Sequence, residues 1–306
     1  MDERRGGPVG KVAAVIVTFN RLEKLKSVVS SVLAQERRPD TVIIVDNAST
    51  DDTAAYLAEL AASEPVVQVL ALPTNTGGAG GFAAGMERGY QWGADFVWIM
   101  DDDGYPEPEA LGTLERGFDE AVAELGPDVP FACSVVKFID GTICEMNNPV
   151  TTWDWGRLLV KGQKSVMVSS CSFVSVLIPR WVIQLYGLPY EDYFIWYDDA
   201  EYTQRITRVC PGVQVLDSQV LHDMGVNQGV NYGMVNDANL WKFKYGARNE
   251  GSYRLHHRGF AQYLIFCATV SLQMAQGSVP LKVRLQIWRR LLAAIAFNPK
   301  ARFPGA

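Results

Sequence analysis

At 306 residues the chain can hold one large domain, or a domain with an appendage, and can bury a sizeable core. With 48% hydrophobic, 11% aromatic and 20% charged residues it has a globular composition, which excludes collagen, coiled coils, low-complexity chains and disorder. The formal net charge of −6 is unevenly spread: Glu250 is the last acid, and after it come Arg254, Arg258, Lys282, Arg284, Arg289, Arg290, Lys300 and Arg302. An acidic body suits cations and disfavours nucleic acid, whereas a basic tail suits an anionic surface.

In chain order, the polar start MDERRGGPVGK lacks the apolar segment of a signal peptide, so the chain is expected to stay in the cytoplasm. KVAAVIVT, TVIIVD, VVQVLAL and DFVWIMD follow, short and rich in Val and Ile as buried parallel strands are. Helical patterns separate them: Arg21 to Gln35, Asp51 to Ala62 and Gly80 to Gln91. Strand and helix alternating in this way predict right-handed crossovers and an α/β fold, a mostly parallel sheet flanked by helices. A helix to about Glu124, strands near Phe131 to Phe138 and Ser172 to Ile178, a short helix from Asp198 to Val209 and the strand VQVL continue the pattern. The expected catalytic domain is 1–226, with a nucleotide-binding half at about 11–103 and an acceptor half at about 104–226. Residues 227–306 form a basic helical region. There, Leu281, Leu285, Trp288, Leu292 and Ile295 recur at helical spacing among basic residues. FAQYLIFCATVSLQMA is apolar but too short to span a bilayer.

In open α/β sheets ligands bind beyond the carboxyl ends of the strands, so the residues at those ends are the candidates for function. The first strand ends in Thr18, Phe19, Asn20 and Arg21, the second in Asp46 and Asn47, and the third leads to Asn75, Gly77 and Gly78. A glycine run before a helix lets backbone approach a ligand and offers a helix N-terminus to phosphate. The fourth strand ends in Asp101, Asp102 and Asp103, a crowding of like charge that a hard divalent ion relieves. Further on, YEDYFIWYDDAEY sets aromatic residues, among them Tyr193, Phe194, Trp196 and Tyr197, beside the carboxylates Asp198 and Asp199. That pattern suits a sugar-stacking wall next to a general base. Glu201 and Arg205, four apart, are expected to pair on the surface of the helix. His222 is a plausible companion ligand to carboxylates. The five cysteines, odd in number and without a C-x-x-C pair, are expected to be buried free thiols.

Taken together, VIVTFNR, VDNASTD, NTGGAGGF, WIMDDDG and WYDDAEY followed by His222 resemble the family 2 glycosyltransferases of the GT-A fold, over roughly residues 11–225. GGAGGF with DDDG and FIWYDDAEY resembles the galactofuranosyltransferases among them, with rhamnosyltransferases and other hexosyltransferases sharing much of the pattern. The resemblance implies a UDP-sugar donor and Mn²⁺ or Mg²⁺. It places Thr18 to Arg21 and Asp46 at the uridine, Asn75, Gly77 and Gly78 along the nucleotide, and Asp102 at the ribose. Asp101 and Asp103 match the metal ligands, with His222 as a third, and Asp199 matches the base. Trp196, Tyr197 and Asp198 face the acceptor, a cell-surface or polyprenyl-linked glycan. Residues 278–306 are expected to meet either the anionic inner face of the plasma membrane or another subunit of an oligomer. From the residues alone, a NAD-dependent oxidoreductase built on the glycine run and a non-catalytic sugar-nucleotide or glycan-binding module are the alternatives.

Overall fold

The computed structural model describes residues 10–305; the polar start expected to lack a signal peptide lies outside them except for Gly10 and Lys11. The strands are β1 Val12–Thr18, β2 Thr41–Asp46, β3 Val67–Ala71, β4 Phe96–Asp101, β5 Gly104–Pro106, β6 Ala132–Phe138, β7 Val150–Thr151, β8 Ser165–Ser170, β9 Val176–Pro179 and β10 Gly212–His222. The helices are α1 Leu22–Leu33, α2 Thr53–Ser63, α3 Gly77–Trp92, α4 Ala110–Leu125, α5 Arg157–Val160, α6 Arg180–Tyr186, α7 Asp198–Ile206, α8 Leu240–Tyr253, α9 Phe260–Gln276 and α10 Leu281–Ala293. The strands form one mixed sheet in the order β3-β2-β1-β4-β9-β6-β10-β8-β7, with β5 paired to β10.

The predicted crossovers arise because β1 alternates its side chains between two buried faces. Val12, Ala14 and Ile16 join the core under α1, α2 and α4, while Ala13, Val15 and Val17 join the core under α3, α6 and α7. Because β1 pairs in parallel with both β2 and β4, Thr18 aligns with Asp46 and Val17 with Asp101. One rim of the sheet thereby collects the ends of the first strands.

Three expectations are corrected. The glycines predicted to form a loop begin α3 at Gly77, and Gly81 and Gly85 lie against β1: a Cβ would come within 2.4 Å of Val17 and 2.3 Å of Val15. Both fall within the helix expected over Gly80 to Gln91, and helix-sheet contact explains them. Glu201 and Arg205 do pair, at 2.9 Å, but as a buried pair. The carbonyl of Leu188 lies in a packed corner of the fold and takes its donor, at 3.1 Å, from the Arg205 guanidinium, which also covers the Tyr190 ring. Third, α10 buries Val283, Ile287 and Leu291, not the stripe that the spacing favours. Leu281, Leu285, Trp288, Leu292 and Ile295 are between 38% and 71% exposed. The helix carries two apolar stripes, and the one with β-branched residues packs on α8 and α9 in a third core that includes Tyr232, Phe243, Ala247, Phe266, Val270 and Ala294. All five cysteines are buried and free.

Removing one member of a buried ion pair strands the other charge. Glu201→Ala is therefore expected to lower the unfolding free energy by about 3–5 kcal/mol; urea denaturation followed by far-UV circular dichroism checks it.

Candidate functional site

The aspartate triplet closes β4, and the chain turns at once into β5, which pairs antiparallel with the end of β10 so that Gly104 faces His222. This pairing brings together residues 119 apart: His222 Nε2 lies 3.1 Å from Asp103 Oδ1. On the other side of the ring, Nδ1 lies 2.8 Å from Asn147 Oδ1, whose amide nitrogen donates to Ser172 Oγ at 2.8 Å. With Asn147 accepting at Nδ1, Nε2 is the nitrogen left for a cation, the arrangement of a supported metal ligand. Asp101, Asp103 and His222 each offer one ligand atom, all within 4.8 Å of one another. Two carboxylates and an imidazole fit a divalent ion of the Mn²⁺ or Mg²⁺ kind.

The electrostatics of the cluster also call for a cation. Burial, followed by the charges of Asp103, Asp102 and Asp198, pushes the Asp101 carboxyl well above its ordinary range. Burial would raise Asp103 too, but the hydrogen bond and charge of His222, with Arg21 and Lys24, hold it down to about 2. Arg21 Nη1 sits 3.0 Å from Asp102 Oδ1 and 2.7 Å from Asp103 Oδ2, and Lys24 Nζ lies 3.6 Å from Asp103 and 3.5 Å from Asp223. Asp102 accepts a further hydrogen bond from Thr18 Oγ1 at 2.8 Å. Thr18, Arg21, Asp101, Asp102, Asp103 and His222 thus converge.

The remaining rim residues occupy a neighbouring stretch and largely shape loops. Asp46 Oδ1 accepts from Ser49 N at 2.9 Å, Asn20 Oδ1 from Thr50 N at 2.7 Å, and Asn75 Oδ1 from Gly77 N at 2.8 Å. Phe19 is exposed, and Gly78 has open space where a Cβ would stand. Gly77 has none: its φ is +73° and a Cβ would strike the Phe194 carbonyl at 2.0 Å.

Sequence reasoning missed Lys24, Asn147 and Asp223, whereas Asn47 is read from the sequence at the end of the second strand. Lys24 follows Arg21 by three positions at the start of α1, and that spacing could have revealed it. Asn47 is buried, donating to Gly77 O at 2.9 Å and accepting from Thr76 N at 2.9 Å, so it ties the end of β2 to the start of α3. Asn147 carries no sequence signal, because only the tertiary fold places it beside His222.

In the first turn of α7, Asp198 is buried and Asp199 is partly exposed beside it. Burial, reinforced by the charge of Asp199, pushes Asp198 up to about 8, and burial pushes Asp199 up to about 6. The aromatic wall expected here is partly turned inward. Tyr193 is buried against Tyr190 and Phe297, Phe194 stacks on Tyr245 at 4.8 Å, Trp196 meets Phe243 at 4.9 Å and Tyr197 meets Tyr253 at 5.4 Å. Trp196 and Tyr197 keep part of their surface exposed.

This sheet, with its acidic rim, is the architecture of the GT-A glycosyltransferases. The fold matches GalNAc-T7, solved with UDP, GalNAc and Mn²⁺, with a TM-score of 0.58 and 15% identity over 83% of this chain and 50% of that one. It also matches S. aureus TarS 1-349 in complex with UDP, with a TM-score of 0.50 and 15% identity over 81% of this chain and 73% of that one. The profile described as "Glycosyl transferase family 2" matches residues 13–139. The galactofuranosyltransferase GlfT1 of Mycobacterium tuberculosis is 31% identical over 228 residues, 71% of each chain. GlfT1 of Mycolicibacterium smegmatis is 40% identical over 121 residues, 39% of each, so that match spans well under half of its length. The chain belongs to glycosyltransferase family 2 and shares the mostly parallel, helix-flanked α/β fold of GT-A enzymes.

Proposed function

We propose that the chain is an inverting glycosyltransferase that moves galactofuranose from UDP-galactofuranose onto a hydroxyl of a glycan, including one carried on a polyprenyl lipid. The observation that carries this reading is the single rim at which Asp101, Asp103 and His222 converge beside the acidic pair Asp198 and Asp199. Galactofuranose is preferred because the relative matched over 71% of both chains is a galactofuranosyltransferase. An undecaprenyl-phosphate mannosyltransferase of Micrococcus luteus is 35% identical over only 34% of this chain. A donor screen with UDP-galactofuranose, UDP-galactose, UDP-glucose and dTDP-rhamnose, read by released nucleoside diphosphate, decides the sugar. Release from dTDP-rhamnose alone would replace this donor with the rhamnosyl one.

In the proposed reaction Asp199 takes the proton of the acceptor hydroxyl, whose oxygen attacks the anomeric carbon as the bond to the diphosphate oxygen breaks, inverting that carbon. Asp199 suits the base better than Asp198 because it is the member of the pair that solvent, and so an acceptor, can reach. Trp196, Tyr197 and Asp198 flank the acceptor. Thr18 to Arg21, Asp46, Asn75, Gly77, Gly78 and Asp102 line the donor. Asp101, Asp103 and His222 would hold a divalent ion, which would supply positive charge to the departing diphosphate. Arg21 and Lys24 are the rim's own cations available to that diphosphate.

Asp199→Asn is expected to lower turnover by about 10²–10⁴-fold while UDP affinity stays unchanged. Since Asp199 works as the carboxylate, wild-type turnover should fall as pH drops through about 6. Stopped assays across pH 4.5–8 and calorimetry with UDP check both.

A ligand of the native state at a hundred times its Kd adds about 2.7 kcal/mol of stability. Mn²⁺ should therefore raise the wild-type Tm by several degrees, whereas Asp103→Asn should show no rise; differential scanning calorimetry with and without chelator separates them.

The basic C-terminal helices are proposed to hold the enzyme against the anionic inner face of a membrane. No helix among the described residues is long and apolar enough to cross one. The exposed Leu281, Leu285, Trp288, Leu292 and Ile295 lie among Lys282, Arg289 and Arg290, and Phe260, Leu264, Ile265 and Leu272 of α9 are exposed as well. The wild type should float with anionic liposomes, and the double variant Leu285→Glu, Trp288→Glu should stay at the bottom of the gradient. Equal flotation of the two would defeat the membrane role.

A further inference from the structure

The five residues before the acidic pair follow an unusual path. Phe194 has φ 64° and ψ −59°, and Ile195 N donates to Tyr193 O at 2.7 Å, which makes the rarer, strained hand of γ-turn. Trp196 and Tyr197 follow at φ 66° and 71°. Three non-glycine residues of four thus sit at positive φ, each at a cost of about 1–3 kcal/mol, and such a path persists only where its surroundings over-determine it.

The chief restraint comes from outside the sheet domain. Asn249 of α8 is wholly buried, and its Nδ2, with two hydrogens to give, lies within hydrogen-bond distance of three carbonyls, Tyr193 at 2.9 Å, Ile195 at 3.1 Å and Trp196 at 2.9 Å, so that one hydrogen is shared between two of them. Its Oδ1 accepts from Arg248 Nε at 3.0 Å and Nη2 at 2.9 Å, and that fixes which way the amide faces. The Tyr193 hydroxyl donates back to Asn249 O at 3.4 Å. Neighbours on α8 add to the hold: Tyr245 stacks on Phe194, and Gly246 leaves room for the Trp196 ring, which a Cβ there would meet at 2.8 Å. From the opposite side, Ala79 N at the start of α3 donates to Phe194 O at 3.1 Å.

From this geometry we infer that Asn249 is a positioning residue: it holds the 193–197 loop in the strained path that presents Asp198 and Asp199 to the rim. Hydrogen bonds to three carbonyls of one strained loop are more than packing of the helical region requires. They fall on the segment whose displacement would move the acids. This rests on the reading of Asp199 as base. An error of about 1 Å in such a group costs up to about a hundredfold in rate.

The test uses the full chain, with UDP-galactofuranose as donor, an alkyl galactoside as acceptor and UDP for binding. Asn249→Ala and the isosteric Asn249→Asp are expected to lower kcat about ten- to a hundredfold. Donor KM and UDP affinity should stay within about twofold, and hydrogen exchange should quicken at residues 193–199. Val270→Ala opens a cavity in the same helical core away from the loop; it should lose stability but keep kcat. If Asn249→Ala does not fold, Tyr245→Leu, which releases the ring stacked on Phe194 and facing Arg248, carries the same test. Folded variants that keep kcat, or that lose it only in step with UDP binding or with exchange spread evenly over α8–α10, overturn the inference. Activity surviving in Asp199→Asn would instead overturn the base assignment, so the two failures are distinct.

Discussion

Three carboxylates in succession at the end of one strand repel each other, and the rim is built around that repulsion. Two unit charges 4 Å apart cost about 1 kcal/mol in water and about 4 kcal/mol near a protein surface. Asp101, Asp102 and Asp103 are tolerable only because other elements bring donors and positive charge to them: Thr18 from β1, Arg21 and Lys24 from the start of α1, His222 from the end of β10. The compensation is uneven. Asp103 is held low by His222, Arg21 and Lys24, whereas burial raises Asp102 despite its partners and raises Asp101 well above its ordinary range. Asp101 and Asp103 beside the supported imidazole form a group whose ligand atoms lie close enough together to hold a cation.

A second constraint works on the neighbouring loop. Residues 193–197 take a path that most side chains avoid, and two elements far apart in sequence hold it there: α3, through Gly77 and Ala79, and α8, through Tyr245, Gly246 and Asn249. The glycine at position 77 therefore serves a carbonyl of the acidic loop as much as any ligand. The C-terminal helices, although they have a core of their own, complete the surroundings of the acidic pair. Of these helices α8 supports the loop, while α9 and α10 leave apolar side chains exposed, on α10 among basic residues.

Much of the fold was legible because its signals are local. Four Val- and Ile-rich runs, each too short for a helix, became β1 to β4, and the apolar face of Arg21 to Gln35 became α1. The short edge strands β5 and β7, and β8 between β10 and β7, were not read from the sequence; pairing rather than composition makes the two edge segments strands. α10 shows the limit from another side. Spacing ranked its two apolar stripes by richness, but shape against α8 and α9 selected Val283, Ile287 and Leu291. Glu201 and Arg205 were legible as a pair, and their burial was not, because it depends on a carbonyl from another segment needing a donor.

By itself the sequence determined the alternation of strands and helices, the acids that end the fourth strand and begin α7, and a family resemblance that the comparisons bear out. These follow from periodicity and from residue order, both local properties of the chain. Tertiary structure alone decided that β5 folds back on β10, so that His222 meets Asp103. It also decided that Asn147 stands behind that histidine and that Asn249 holds the loop before the acids. Those contacts join residues from about 50 to 120 positions apart. Their partners are chosen by the packing of whole elements, and no local pattern records that choice.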